Sequence, residues 1–244
     1  MPSTSETGHA KNVANFQDLI SFVAGYGAVY NPSKAALQLA SLQTKATDEQ
    51  ANLAGVVTVV TGYNNSVNDR ANAFSGIKAF STRLVNALAA TDASPKTIAD
   101  AKGFNRKIQG VKASATPKPA ADAGALAPKT NSSSQQSYDQ LIQHLSGLVA
   151  VLDSEPTYKP NETELKVAAV NTYIKELTKN NNEVATQYAA TSNARIKRDK
   201  GLYNDKTGLV PTALEVKTYV KSVFGASSPE FKQVNPLKFK MITT

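Results

Sequence analysis

The chain has 244 residues, with 27 Lys plus Arg against 19 Asp plus Glu and a formal net charge of +8. It contains no cysteine and only two histidines, which excludes a disulfide framework, a thiolate nucleophile or metal site, and a three-histidine zinc centre. A hydrophobic share of 41% and a charged share of 19% fit a globular protein of one large or two small domains.

Residues 1–11 read as a polar tail without a basic start or an apolar run, so no secretory leader is expected there. The first helix is predicted over about Val13–Ala24, with Phe16, Leu19, Ile20 and Val23 on one face and Gly25-Tyr26-Gly27 as its stop. A long helix follows, about Ser33–Ser75. Its predicted seam is Leu53, Val57, Val60, Asn64, Val67, Ala71 and Phe74, alternating steps of four and three as in a coiled coil. A third helix, about Ile77–Ala90, carries Ile77, Phe80, Leu84 and Leu88. A fourth starts with Ser94 as cap and Pro95 at its first position. The most apolar stretch, Leu53–Val60, holds Gly55 and Thr58 and is far short of the ~20 residues that span a bilayer. No membrane insertion is expected, and the location expected is cytoplasmic or released without a classical signal peptide.

Residues 111–136 are rich in Ala, Pro, Ser and Lys and read as a linker. The order of helices then returns. Tyr138–Leu152 forms a helix, Asn161-Glu162-Thr163-Glu164 resembles a capping box opening a second long helix, and Val170, Ile174, Leu177, Asn181, Val184 and Tyr188 form its seam. A further helix holds Ala213, Val216, Val220 and Val223, and Ser228-Pro229 caps a short last one. The tail 236–244 alternates apolar and polar residues and suits either a frayed terminus or an arm that packs on a neighbouring subunit.

The recurrence is an internal repeat. Asn15–Ile20 matches Ser137–Ile142, Tyr30-Asn31-Pro32 matches Tyr158-Lys159-Pro160, Tyr63 and Arg70 match Tyr188 and Arg195, and Ser94-Pro95 matches Ser228-Pro229. The expected fold is all-α, with two tandem, similar, elongated helical bundles, each built on one long helix with shorter antiparallel helices. Their bounds are 12–110 and 137–235, with the linker 111–136 between them and tails at 1–11 and 236–244.

The residues name no chemistry. His9 sits in the polar tail and His144 reads as a partly exposed helix residue. Neither has a nucleophile or an orienting carboxylate in a recognisable motif. Glu162, Glu164 and Glu176 lack the Glu-x-x-His spacing of di-metal bundles. No catalytic, cofactor-binding or metal-binding residue is therefore assigned, and no cofactor is expected. The strongest charge cluster is Arg195-Ile196-Lys197-Arg198-Asp199-Lys200, which suits a solvated helix end or a docking patch for an acidic partner. With the repeated Tyr–Arg pairs it defines a candidate docking surface of Tyr63, Arg70, Tyr188, Arg195, Lys197, Arg198 and Lys200. Asn64 and Asn181 are expected at core-like seam positions that set register.

The Asn12–Phe16 start, the run from Ala194 to Tyr203 and the segment Val216–Gly225 resemble an uncharacterised family of soluble all-helical proteins from Bacteroidota bacteria. The resemblance implies an all-helical fold, and no activity, cofactor or site residue carries over with it. The function expected is that of a non-enzymatic structural or scaffold protein. Its bundle surfaces would associate with copies of themselves, as a homo-oligomer, filament or ordered array. The alternative is a basic nucleic-acid-binding protein using Arg195–Lys200, whose binding would weaken with salt. An enzyme with a pocket between helices is a third class without positive support in the sequence.

Overall fold

The computed structural model describes residues 4–110 and 136–242, the first three of them by backbone alone. Every regular element among the described residues is helical, so the fold is all-α. The linker expected at 111–136 lies outside the described residues, apart from Gln136.

The elements are α1 (Thr4–Gly25), α2 (Leu39–Ser75), α3 (Ile77–Ala89), α4 (Pro95–Gln109), α5 (Tyr138–Asp153), α6 (Val167–Tyr203), α7 (Leu209–Phe224) and α8 (Pro229–Val234). The helix ends follow from local chemistry. Ser94, Ser137 and Ser228 each accept a bond from the backbone N–H three residues on, the usual N-cap contact. Gly110 ends α4 at φ 76, where a side chain would be strained. The expected polar tail at 1–11 is instead helix from Thr4 onward, and His9 on it is buried.

The repeat shows in hydrogen bonding as well as in order. Tyr30 donates its hydroxyl to Leu37 O at 2.7 Å, and Tyr158 donates to Leu165 O at 2.8 Å. Both loops hold a short 3-10 turn, Ala35–Leu37 and Thr163–Leu165, and each leads into a 37-residue helix. The long helices thus start later than expected, at Leu39 and Val167, and the Asn161–Glu164 box opens the 3-10 turn rather than α6.

One offset, 128, holds from the two tyrosines to the ends of α2 and α6. It sets Arg70 opposite Arg198 rather than Arg195, and Tyr63 opposite Thr191 rather than Tyr188. In α1 and α5, the buried Phe16, Leu19, Ile20 and Val23 correspond to the buried Leu145, Leu148, Val149 and Leu152. The expected match of Asn15–Ile20 to Ser137–Ile142 is therefore slipped by two helical turns. A slip of seven residues keeps an apolar face in phase, so periodicity alone does not detect it.

The chain divides into two compact units, but not in tandem. Unit 1 comprises Met1–Tyr63 with Gln187–Thr244, and unit 2 comprises Asn64–Thr186. The expected bundles at 12–110 and 137–235 give way to this partition. In unit 1, α1 packs on α7 and α8, and the core joins Phe16, Leu19 and Leu42 to Leu202, Val216 and Val234. In unit 2, α5 packs on α3 and α4, and the core joins Leu84, Leu88 and Ile108 to Leu145, Leu148 and Leu177. Each unit therefore holds part of both long helices and pairs the first helix of one repeat with the last helices of the other. An apolar stripe specifies that it must be covered, and a second copy on the same chain offers an equally fitting cover. Burying a Leu or Phe in either core contributes roughly 1.5–3 kcal/mol.

The predicted seams are corrected by one position in α2. Val56 is buried and Val57 is exposed, as are Asn64 and Ala71. The doublets Val56-Val57 and Val59-Val60 satisfy both phases, so sequence alone leaves them open. Asn64 thus has no core role. Asn181 is half-buried, accepting from Arg70 Nη1 at 3.2 Å and donating to Asp139 Oδ1 at 2.8 Å.

The end of the chain is docked. Residues 237–242 form neither helix nor strand, and Leu237 and Phe239 pack against the unit 1 core. The frayed terminus expected as one reading of this tail does not hold, because the segment packs on α1 of its own chain.

Candidate functional site

The seven candidate docking residues do not form one surface. In unit 1, the rings of Tyr63 and Tyr188 lie 6.0 Å apart, with Tyr188 64% exposed. Arg195, Lys197 and Lys200 are exposed on α6. Arg198, between them, is fully buried and pairs with Asp199 through Nη2 at 2.7 Å and Nε at 2.8 Å. One of the four cations of the cluster is thus a core group. In unit 2, Arg70 is half-buried, with its guanidinium 4.2 Å from the centre of the Tyr138 ring. A cation over an aromatic face, bonded also to Asn181, is a packing contact.

Sequence reasoning missed the most polar part of the interior. In unit 1, His9 and Asn12 on α1 are buried, and they converge on Tyr203 at the end of α6. His9 Nδ1 is hydrogen-bonded to the Tyr203 hydroxyl at 2.6 Å, and Asn12 Nδ2 donates to the same oxygen at 3.2 Å. Asn12 also pairs with the peptide of Lys240, donating to its carbonyl at 2.8 Å and accepting from its N–H at 3.0 Å. One turn on, Asn15 Nδ2 donates to Lys238 O at 2.6 Å. Lys217 on α7 donates its ammonium to Asn235 O at 2.8 Å and Leu237 O at 3.0 Å. Burial holds that amine below its ordinary pKa.

A second buried polar group in unit 1 is Glu49 on α2. Its carboxylate accepts from Asn52 Nδ2 at 3.0 Å and lies against the backbone of Gly201 on α6. Desolvation raises its pKa, and the Asn52 bond and the nearby Lys45 oppose that rise. A signal for these residues was present. Where the repeat carries Leu141 and Leu177, the partner positions are Asn12 and Glu49, polar groups at core sites.

In unit 2, His144 is buried on α5, with Nε2 lacking a hydrogen-bond partner. Burial and then the charge of Lys107 lower its pKa. It is thus a neutral core residue rather than a partly exposed one.

Two shallow grooves occur at corresponding places in the repeats. In unit 1, a groove of about 320 Å³ lies between the end of α1 and α8, touching Phe22 and Gln233. In unit 2, one of about 370 Å³ lies between α4 and α5, touching Val151 and Ala99. The first is lined also by Ser21, Tyr26 and Glu230, where Ser21 Oγ donates to Gln17 O at 3.0 Å and the Tyr26 hydroxyl to Glu230 O at 2.9 Å, and the second by Asp100, Arg106 and Lys107. No group of three or more His, Cys, Asp or Glu side chains fit to hold a metal ion occurs among the described residues, and no helix among them is long and apolar enough to cross a membrane.

Comparison of the chain with protein-family models, with curated proteins and with solved structures finds no match.

Proposed function

We propose that this chain is a structural or scaffold protein that associates with copies of itself through the surface of unit 1. One observation carries the reading. Among the described residues, the exposed large apolar side chains are Val29, Val57, Tyr188, Ile196, Leu214, Val223 and Met241, and all of them belong to unit 1. Scattered apolar residues on a surface need no explanation. Their confinement to one of two units of near-equal size and common design is a different matter, because apolar surface kept in water favours being covered.

The test is the mass of the full chain by size-exclusion chromatography with light scattering, with negative-stain microscopy of the same fractions. The mass is expected to rise with concentration, and Tyr188→Ser with Ile196→Ser is expected to lower it. A strict monomer at high concentration overturns the proposal. The nucleic-acid alternative loses support from the burial of Arg198, which leaves Arg195, Lys197 and Lys200 as the exposed cations of that cluster. A salt-sensitive shift of DNA or RNA at low ionic strength would restore it.

A further inference from the structure

The repeat fails at one place with a clear physical character. Ser94-Pro95 begins α4 in unit 2, and Ser228-Pro229 begins α8 in unit 1. From that common start, α4 runs for 15 residues to Gln109 and buries Ile108. In unit 1, α8 stops after 6 residues, and the chain continues as the strap 237–242. The strap alternates, with Leu237 and Phe239 turned to the core and Lys238 and Lys240 to solvent.

The residues facing the strap differ in the matching sense. Asn12 and Asn15 stand where α5 carries Leu141 and His144. An asparagine amide holds a donor NH2 and an acceptor carbonyl oxygen side by side in one plane, so it can pair with both groups of a single peptide as a neighbouring strand would, with a second N–H left for Tyr203. Asn12 does so with Lys240, using both groups, while it is only 2% exposed. Asn15 and Lys217 likewise bond only to backbone carbonyls of the segment 235–238. All these contacts read main chain, as in strand addition at a sheet edge. Unit 1 therefore contains a built receptor for a peptide segment, filled by the chain's own.

We propose that this receptor also takes the 236–242 segment of a second copy, so that copies are joined by exchange of straps. The inference rests on the self-association reading and names the segment that performs it. Every contact made within one chain is available unchanged between two, so exchange alters only chain entropy and the hinge, here Asn235-Pro236. Each copy carries one strap and one receptor, so exchange yields either closed pairs or open chains of copies.

The chain has no cysteine, which permits a test with the full protein. A Cβ at Gly8 would meet the Ile242 side chain at 2.5 Å, so these two positions report strap docking. Gly8→Cys chains are mixed with Ile242→Cys chains and oxidised with diamide. Neither variant can close a disulfide within itself, so mixed dimers in excess of random pairing require exchange. Mixed dimers are expected in at least fivefold excess over the mean of the two like-with-like dimers. A large excess of free peptide with the sequence of residues 236–244 is expected to suppress them. Asn12→Leu, placing there the residue that unit 2 uses, is expected to abolish the excess, with circular dichroism reporting whether that variant folds. Mixed dimers at the statistical level, or undiminished by the peptide, overturn strap exchange. If the wild-type chain is then still oligomeric by light scattering, exchange alone has failed. If it is monomeric, the self-association proposal has failed with it.

Discussion

Arg70 and Arg198 hold the same place on the two long helices, and their surroundings have made them different residues. Arg70 is half-buried over the Tyr138 ring, whereas Arg198 is fully buried against the carboxylate of Asp199. Removing a buried charged group costs its contacts and leaves a cavity, whereas a half-exposed cation over a ring contributes far less. Arg198→Ala is expected to destabilise the protein by about 2–4 kcal/mol and Arg70→Ala by about 1 kcal/mol. Urea midpoints of the two variants check this. Equal losses would show that the burial of Arg198 has no energetic consequence.

Tyr30 and Tyr158 close the same loop in the two repeats. Burial raises the pKa of Tyr30 and pushes that of Tyr158 up to about 12, so both hydroxyls stay protonated as donors. Tyr30→Phe and Tyr158→Phe each leave a leucine carbonyl without its partner and are expected to cost about 1–2 kcal/mol. Because the geometry is shared, the two losses should agree to within about 0.5 kcal/mol. Chemical denaturation of each variant measures them.

His144 makes stability depend on pH in a definite sense. Its folded pKa lies below its ordinary value because burial disfavours the imidazolium, with Lys107 adding to the effect. On acidification the unfolded chain therefore takes up the proton first. The contribution of His144 is fully present above about pH 6.5, its ordinary value, and is lost as pH falls towards the lowered folded pKa. Stability lost between pH 8 and pH 5 is expected to be smaller in His144→Gln than in the wild type. Thermal melts of both chains at the two pH values give the difference. An identical loss would count against a neutral His144.

Two glycines should respond to alanine with opposite sign. A Cβ at Gly208, the residue before α7, would lie 2.7 Å from both the N and the O of Asn204, which are backbone atoms that cannot rotate away. Gly208→Ala is expected to destabilise by about 1–3 kcal/mol. Gly55 lies inside α2 with nothing within 4 Å of a new Cβ. There alanine removes glycine's entropic penalty, and Gly55→Ala is expected to stabilise by about 0.5–1 kcal/mol. Melting temperatures moving in the same direction for both variants would contradict this.

The helical class, the serine caps at Ser94 and Ser228 and the doubling of the order of helices were legible in the residues, because each depends on neighbours along the chain or on a periodic face. The buried polar groups were less so. Asn12 and Glu49 become visible only when the repeats are set at the offsets that burial reveals, where they stand against Leu141 and Leu177. The cluster from Arg195 to Lys200 read as a single charged patch because a one-dimensional run does not show that Arg198 turns inward.

By itself, the sequence determined that the chain is helical, that it carries a design twice, and which stripe of each helix must leave water, since propensity, capping and periodicity are local properties. Only the tertiary structure decided which stripe meets which. In it α1 joins α7 and α8, α5 joins α3 and α4, and Asn12 finds the peptide of Lys240. The reason is that apolar burial is non-directional. Two like faces from two copies satisfy it equally well, and the choice between them falls to packing and to the polar groups that find a partner in only one arrangement.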